Sequence, residues 1–340
     1  MKLPAPLAVR AATVHLPGGR HTVADAVAAG FLTTTDAARS GYLTLPVAGP
    51  DETPESLAAH AAELALRTAS TDPARLGLLV HTWLHRPAHP FWSPAHHIAA
   101  RVRAETALPL GVHQMSNGAA AALHTAAAWL SADPTAGPAL VTAADTFPAP
   151  GFDRWRGDVL LYGDAGCAAV LDTLRCDDPA LHLVSLVSAA APALEAAHRA
   201  GRRPGSPAAP TPRDTRRAFI AEHGADAFAA AAREGASRAI AGALAHAGLR
   251  PNDPSLRQIV LPRVGKHTLE ALYAPLLNTL LPGVPRTDHG AHTGHLGAGD
   301  LLANIAVLTA PDSPLSSGDH VLIFNGGGGF TWSCAVLHRP

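Results

Sequence analysis

Two patterns of apolar positions alternate along the chain. Short apolar runs bounded by turn residues read as buried strands, and longer stretches with apolar residues at helical spacing read as helices. ESLAAHAAELALRTAS (55–70) is a helix by periodicity and propensity. LGLLVHTW (76–83) follows as a buried strand. SPAHHIAARVRAET (93–106) is a helix opened by Ser93 and Pro94, a favoured start. LPLGVHQM (108–115) reads as a short strand. NGAAAALHTAAAWLSA (117–132) is then a helix too apolar for a surface position. ALVTAAD and GCAAVLD are further strands.

The second half repeats this order. DAFAAAAREGASRAIAGALAHAG (226–248) is a helix, LRQIVLPRV (256–264) a strand and KHTLEALYAPLLNTLL (266–281) a helix. The loop HTGHLGAGD (292–300) leads into a second apolar helix, DLLANIAVLTA (300–310). DHVLIFNGG and GFTWSCAVLHR close as two strands. Val80 to Ser116 spans 36 positions, and Val260 to His295 spans 35. The repetition predicts an α/β fold of two duplicated halves about a pseudo-twofold axis. The loops at Ser116 and His295 would then face each other. The halves are expected at 1–172 and 220–340, with a linker or insertion at 173–219. Its Pro-, Gly- and Arg-rich part, 189–219, reads as a linker or a lid.

Composition narrows the function classes. The 340 residues are 47% apolar and 16% charged, as in an ordinary globular protein. A net charge of −1 and a pI near 7.1 leave no electrostatic footprint for nucleic acid or an anionic membrane. The basic stretches HRAGRR and PRDTRR read as a solvated loop. Three cysteines without a CxxC argue against a disulfide scaffold and for a reduced, cytoplasmic setting. The N-terminal stretch shows no secretory signal, and no apolar run is long enough to span a membrane.

Three stretches could carry chemistry. In HQMSNGAAAAL, Ser116 lies at a strand-to-helix turn, on the positive end of a helix. A nucleophile and a plain helix cap both fit that place. DHGAHTGH sets His289, His292 and His295 three apart beside Asp288. Zinc would suit those residue types, but the glycines break any helix that would align them and no HExxH or Cys pair is present, so no metal is expected. The catalytic reading takes His295 as base and Asp300 as the carboxylate that orients it. FNGGGGFTW (324–332) allows close backbone approach to a ligand and an oxyanion-hole N–H. It is neither a P-loop nor a dinucleotide fingerprint, since no GK[ST] follows and the next element is a strand.

Together, YGDAGCAAVLD (162–172), GGGGFTWSCAVL and MSNGAAAAL resemble the ketosynthase III branch of the thiolase superfamily. HLPGGRHTVADAV is similar to that family's first strand and turn, so the resemblance covers essentially the whole chain. It implies a thiolase-like fold in five αβαβα layers, and a homodimer. The departures carry as much information. The family's nucleophilic Cys is here Ser116. Its Pro-His-Gln-Ala-Asn histidine is Arg263 in LPRVGKH, and its Gly-Asn-Thr-Ser asparagine is His295. The missing His/Asn pair stabilises the enolate, so decarboxylative condensation is not expected. Ser116, His295 and Asp300 are instead similar to the triad of a natural-product subgroup of ketosynthase III-like acyltransferases. The resemblance implies an oxyanion hole of the Ser116 N–H and that of a glycine near Gly328. It implies no cofactor beyond a phosphopantetheine thioester donor, on acyl carrier protein or coenzyme A. The acceptor expected is a hydroxyl or amine of a small molecule; a carrier-protein thiol would make a starter-unit loader. An α/β-hydrolase fits poorly, because its triad runs Ser, acid, His. A degenerate thiolase-fold partner is the non-enzyme reading, and the His295–Asp300 pair argues against it.

Overall fold

The computed structural model describes residues 2–157, 160–173, 180–199 and 211–340. The first strands are β1 (Leu7–His15), β2 (Gly19–Thr22), β3 (Thr44–Val47), β4 (Leu78–Thr82), β5 (Leu108–Val112), β6 (Ala139–Asp145) and β7 (Ala165–Thr173). They are followed by β8 (Leu181–Ala190), β9 (Leu256–Val260), β10 (Arg286–Thr287), β11 (His320–Gly327) and β12 (Thr331–His338). Ten of these form one sheet in the order β10-β9-β11-β12-β8-β1-β7-β6-β4-β5, while β2 and β3 pair separately.

That order is a duplication written in hydrogen bonds. Outward from the centre, β1-β7-β6 are joined antiparallel and β6-β4-β5 parallel. In the other direction β8-β12-β11 are antiparallel and β11-β9-β10 parallel. The halves meet where β1 pairs antiparallel with β8, from Leu7↔Leu183 to Val9↔Leu181.

Period-two alternation sorts the strand residues into layers. Val80 and Val141 of the first half and Val321, Ile323 and Ala335 of the second share one core with two central helices, Gly118–Ala132 and Asp300–Thr309. The intervening Leu79 and Leu140 pack instead with helices Pro54–Thr68 and Pro94–Val102. Ile259, Leu322 and Phe324 do the same with helix Ala225–Ala247. The result is the five-layer αβαβα arrangement. Its central helix is alanine-rich because sheets flank it: Ala119, Ala120, Ala122, Ala126 and Ala127 are all fully buried.

The stretch 173–219 differs from its reading as a linker. LHLVSLVSAA (181–190) is β8, a central strand of the sheet, whose alternating pattern was masked by the Pro- and Arg-rich run behind it. PRDTRR is not a loop but the start of helix Pro212–His223, opened by a Thr211/Asp214 capping box and Pro at its first turn. The middle of the suggested lid, 200–210, lies outside the described residues, as do 174–179 with Cys176. Among the described residues no helix is long and apolar enough to cross a membrane.

Three histidines form a ladder at one end of the sheet. His182, His338 and His320 are direct neighbours across β8, β12 and β11. Their ring centroids lie 5.7 and 4.6 Å apart. Ser255, Asp253 and Asp319 face His320. Burial, and then repulsion from His338, holds His182 and His320 below the ordinary imidazole range. Their folded values therefore lie under the unfolded value of about 6.5. The stability gained by keeping them neutral is present above that pH and is lost as pH falls below it. The melting temperature of His338→Gln should fall less steeply between pH 7 and 5 than that of the unsubstituted protein. Equal slopes would remove the ladder from the acid response.

Candidate active site

Ser116 lies between β5 and the first central helix, in a single 3-10 turn, Met115–Asn117. Met115 adopts φ 49°, the left-handed region, which costs a non-glycine residue roughly 1–3 kcal/mol. The matching loop of the second half has the same design. Gly297 adopts φ +61°, and a β-carbon there would come within 2.1 Å of Asp145 Oδ2. Only glycine satisfies both limits. The loop ends at Asp300, first residue of the second central helix, where a carboxylate meets the positive end of the helix dipole.

The two loops bring Ser116, His295 and Asp300 into one hydrogen-bonded row. Ser116 Oγ is 2.7 Å from His295 Nε2. His295 Nδ1 is 2.6 Å from Asp300 Oδ2. The other carboxylate oxygen, Oδ1, accepts the Leu296 N–H at 2.8 Å. All three residues are buried, at 7%, 2% and 0% exposure. With Nδ1–H donated to Asp300, the Nε2 lone pair faces the Ser116 hydroxyl. His295 thus has both ring nitrogens engaged, while His292 is exposed.

His295 is held by the YGDAG stretch. His295 N–H donates to Leu161 O at 2.8 Å, and Gly163 N–H donates to His295 O at 3.0 Å. The Tyr162 ring packs edge-on against the imidazole, 5.4 Å between centroids. Asp164 accepts from the Phe147 and Ala48 N–H groups and pairs with buried Arg154 at 3.0 Å. Asp145, at the end of β6, accepts from Leu84, His85 and Ala298 N–H. It ties the exit of β4 to the loop that carries His295. Burial pushes its carboxyl up to about 6, against the pull of those donors.

Arg263 is buried, at 3% exposure. Its Nη1 donates to His289 O and, at 2.7 Å, to Thr293 Oγ1, so it braces the loop leading to His295. Desolvation lowers its pKa, and the charge of Asp300 is the main opposing influence. The glycine strand end also reaches the Ser116 turn. A β-carbon on Gly327 would lie 2.4 Å from Asn117 N, so the end of β11 abuts the Ser116 turn. Gly328 follows it, and a β-carbon there would lie 2.3 Å from His198 Nε2. A cleft of about 1140 Å³ lies beyond Tyr162, lined among others by Arg20, His85, Phe147, Phe152 and Trp155. Phe147 and Phe152 each pack on Tyr162 at 4.8 Å.

Sequence reasoning did not single out Tyr162, Asp145 or Asn325. A signal for the last lies in β11, where the inward row Val321, Ile323 continues as Asn325. Polar residues at core positions of a strand are the pattern to look for.

A five-layer αβαβα fold with a buried Ser–His–Asp row at the entrances of its two central helices defines a thiolase-like protein. Comparison with known proteins sharpens that class. No family model matches the chain. The β-ketoacyl-[acyl-carrier-protein] synthase III of Roseiflexus sp. (strain RS-1) is 29% identical over 310 residues, 88% of each chain. The solved structure of ChlB3, described as an acyltransferase, has a TM-score of 0.87 at 28% identity over 98% of both chains. The 3-oxoacyl-[acyl-carrier-protein] synthase III of Aquifex aeolicus VF5 has a TM-score of 0.77 at 20% identity, covering 98% of this chain and 99% of that one. In sequence and in fold the chain is thus similar to ketosynthase III proteins, on a thiolase-like fold.

Proposed function

We propose that the chain is an acyltransferase working through an acyl-Ser116 intermediate. The observation that carries this reading is the row Ser116 Oγ, His295 Nε2, His295 Nδ1, Asp300 Oδ2, with steps of 2.7 and 2.6 Å. His295 takes the Ser116 proton as Oγ attacks the acyl carbon of a thioester. The oxyanion forms against the N–H groups of Ser116 and Gly328, at the end of the central helix. The thiol leaves with a proton from His295. An acceptor hydroxyl or amine then enters and attacks the acyl carbon as His295 takes its proton; the bond to Ser116 Oγ breaks, and His295 returns the proton to Oγ.

Two features favour transfer over condensation. Arg263 and His295 occupy the positions at which the resemblance calls for the enolate-stabilising His and Asn. An oxygen ester is also a poorer electrophile than a thioester toward carbon, which favours heteroatom acceptors. The donor is an acyl group on phosphopantetheine, carried by acyl carrier protein or coenzyme A; the names of the synthase III relatives support the former. The acceptor is a hydroxyl or amine on a natural-product scaffold. Loading of a carrier-protein thiol with a starter unit uses the same intermediate and is the second reading. A homodimer is supported by β5, an edge strand with Leu108 45% exposed, and by the nearby Phe91 and Trp92, 102% and 38% exposed. Buried free Cys167 and Cys334 suit a reducing cytoplasm.

The test is a product assay with an acyl-pantetheine donor, a malonyl thioester and a panel of alcohols and amines. The reading predicts an ester or amide and no carbon dioxide. A β-ketoacyl product would overturn it in favour of condensation.

A further inference from the structure

The strand rows that face the central helices change character as they approach Ser116. Val321 and Ile323 in β11, and Leu337 and Ala335 in β12, belong to the central apolar core. The next positions of the same rows are Asn325 and Ser333. Asn325 pairs across the strands with Ser333, and Ser333 with Ser188 of β8. Asn117 joins them from the nucleophile turn. Asn325 and Asn117 are 1% exposed and Ser333 is fully buried.

These side chains form one hydrogen-bonded chain. Asn325 Nδ2 donates to Ser116 O at 3.1 Å and lies 3.3 Å from Asn117 Oδ1. Asn117 Nδ2 donates to Ser333 Oγ at 2.7 Å. Ser333 Oγ is 2.6 Å from Ser188 Oγ, which is 2.9 Å from His124 Nε2. Burial pulls His124 down to about 4, so its ring is neutral and Nε2 can accept.

Stability alone does not account for this chain. Asn325 Oδ1 is buried with no donor among the described residues. A leucine of similar size would avoid that desolvation penalty and extend the apolar row, at the cost of leaving Ser116 O and Asn117 Oδ1 without this donor. What the amide does is grip the carbonyl of the nucleophile. It reaches from the second half of the fold to a turn of the first half that contains a left-handed Met115. Fixing the Ser116–Asn117 peptide fixes the direction in which the Ser116 side chain leaves the backbone.

We propose that Asn325, backed by Asn117 and Ser333, is a positioning residue that holds Ser116 Oγ in reach of His295. The proposal rests on the acyl-serine reading. Orientation of this kind acts on the rate of the chemical step and not on donor binding.

The test is the burst with p-nitrophenyl acetate, which needs no knowledge of the natural donor. Ser116 Oγ bonds to the acetyl carbon, His295 takes the proton, and p-nitrophenolate leaves and is read by its absorbance. Asn325→Leu should slow the burst by about tenfold or more. Its melting temperature should fall modestly, because buried Ser116 O and Asn117 Oδ1 lose this donor, while its half-saturating ester concentration should move less than about twofold if orientation is what is lost. Ser333→Ala, which removes one hydroxyl, should slow the burst in the same sense by a smaller factor. A folded Asn325→Leu that acylates at the unsubstituted rate overturns the proposal. Should that variant not fold, an unchanged burst in Ser333→Ala overturns it instead. No burst in the unsubstituted protein overturns the acyl-serine reading, and the positioning role with it.

Discussion

Ser116→Ala is expected to abolish acyl-enzyme formation and to lower turnover by on the order of 10⁴-fold or more, while the fold survives. The size follows from the absence of a substitute among the described residues. The thiol near the site, that of Cys167, is fully buried, and burial pushes it up to about 12, so it offers no thiolate at neutral pH. Cys334 is likewise buried and shifted upward. Water activated by His295 can still hydrolyse a bound thioester slowly, which sets the residual rate. Removing one hydroxyl leaves His295 held by Asp300 and by the backbone of Leu161 and Gly163, so circular dichroism and melting should change little. Turnover within about tenfold of the unsubstituted rate would mean that Ser116 is only a structural residue of the 3-10 turn before the helix.

Asp300→Asn should have the second largest effect, a loss of roughly 10²- to 10⁴-fold in the acylation rate. The carboxylate uses both oxygens. Oδ2 accepts from His295 Nδ1 and Oδ1 accepts from Leu296 N–H, and the residue is fully buried. An amide cannot serve both donors. If its oxygen stays on Leu296, its NH₂ faces Nδ1 and favours the tautomer protonated on Nε2. That tautomer cannot take the Ser116 proton. The substitution also removes the charge that opposes the desolvation of buried Arg263, so the melting temperature should fall as well. Rapid-mixing measurement of the acyl-enzyme checks the rate. Acylation at a third or more of the unsubstituted rate would show that Asp300 does not orient the base.

Much of this architecture is legible in the chain itself. The repeated order of strand, helix, strand and apolar helix foreshadows the two five-strand arrays, because each half solves the same burial problem. Ser116, His295 and Asp300 stand out because they sit in glycine-containing turns leading into helices that are otherwise alanine and leucine. The strand β8 was hidden by its neighbourhood: its alternation LHLVSLVSAA runs straight into a segment rich in Pro and Arg. Pairing of β8 with β1 is a long-range event that local pattern does not announce. PRDTRR looked like a loop because its charges dominate, although Thr211, Pro212 and Asp214 spell a helix start. Asp145 and Tyr162 read as ordinary strand-end residues. Their roles appear only when the loop 295–298 folds across them. Arg263 was seen as a departure from the family pattern, but its grip on His289 and Thr293 needed the fold.

The central claim is a covalent acyl-serine, and intact-mass measurement after incubation with acyl-pantetheine thioesters tests it most directly. The account predicts a mass increase equal to one acyl group, located on the peptide that carries Ser116 and absent in Ser116→Ala. An adduct that persists in Ser116→Ala, or no adduct with any donor, would contradict it; the second result would favour a thiolase-fold partner without catalysis of its own.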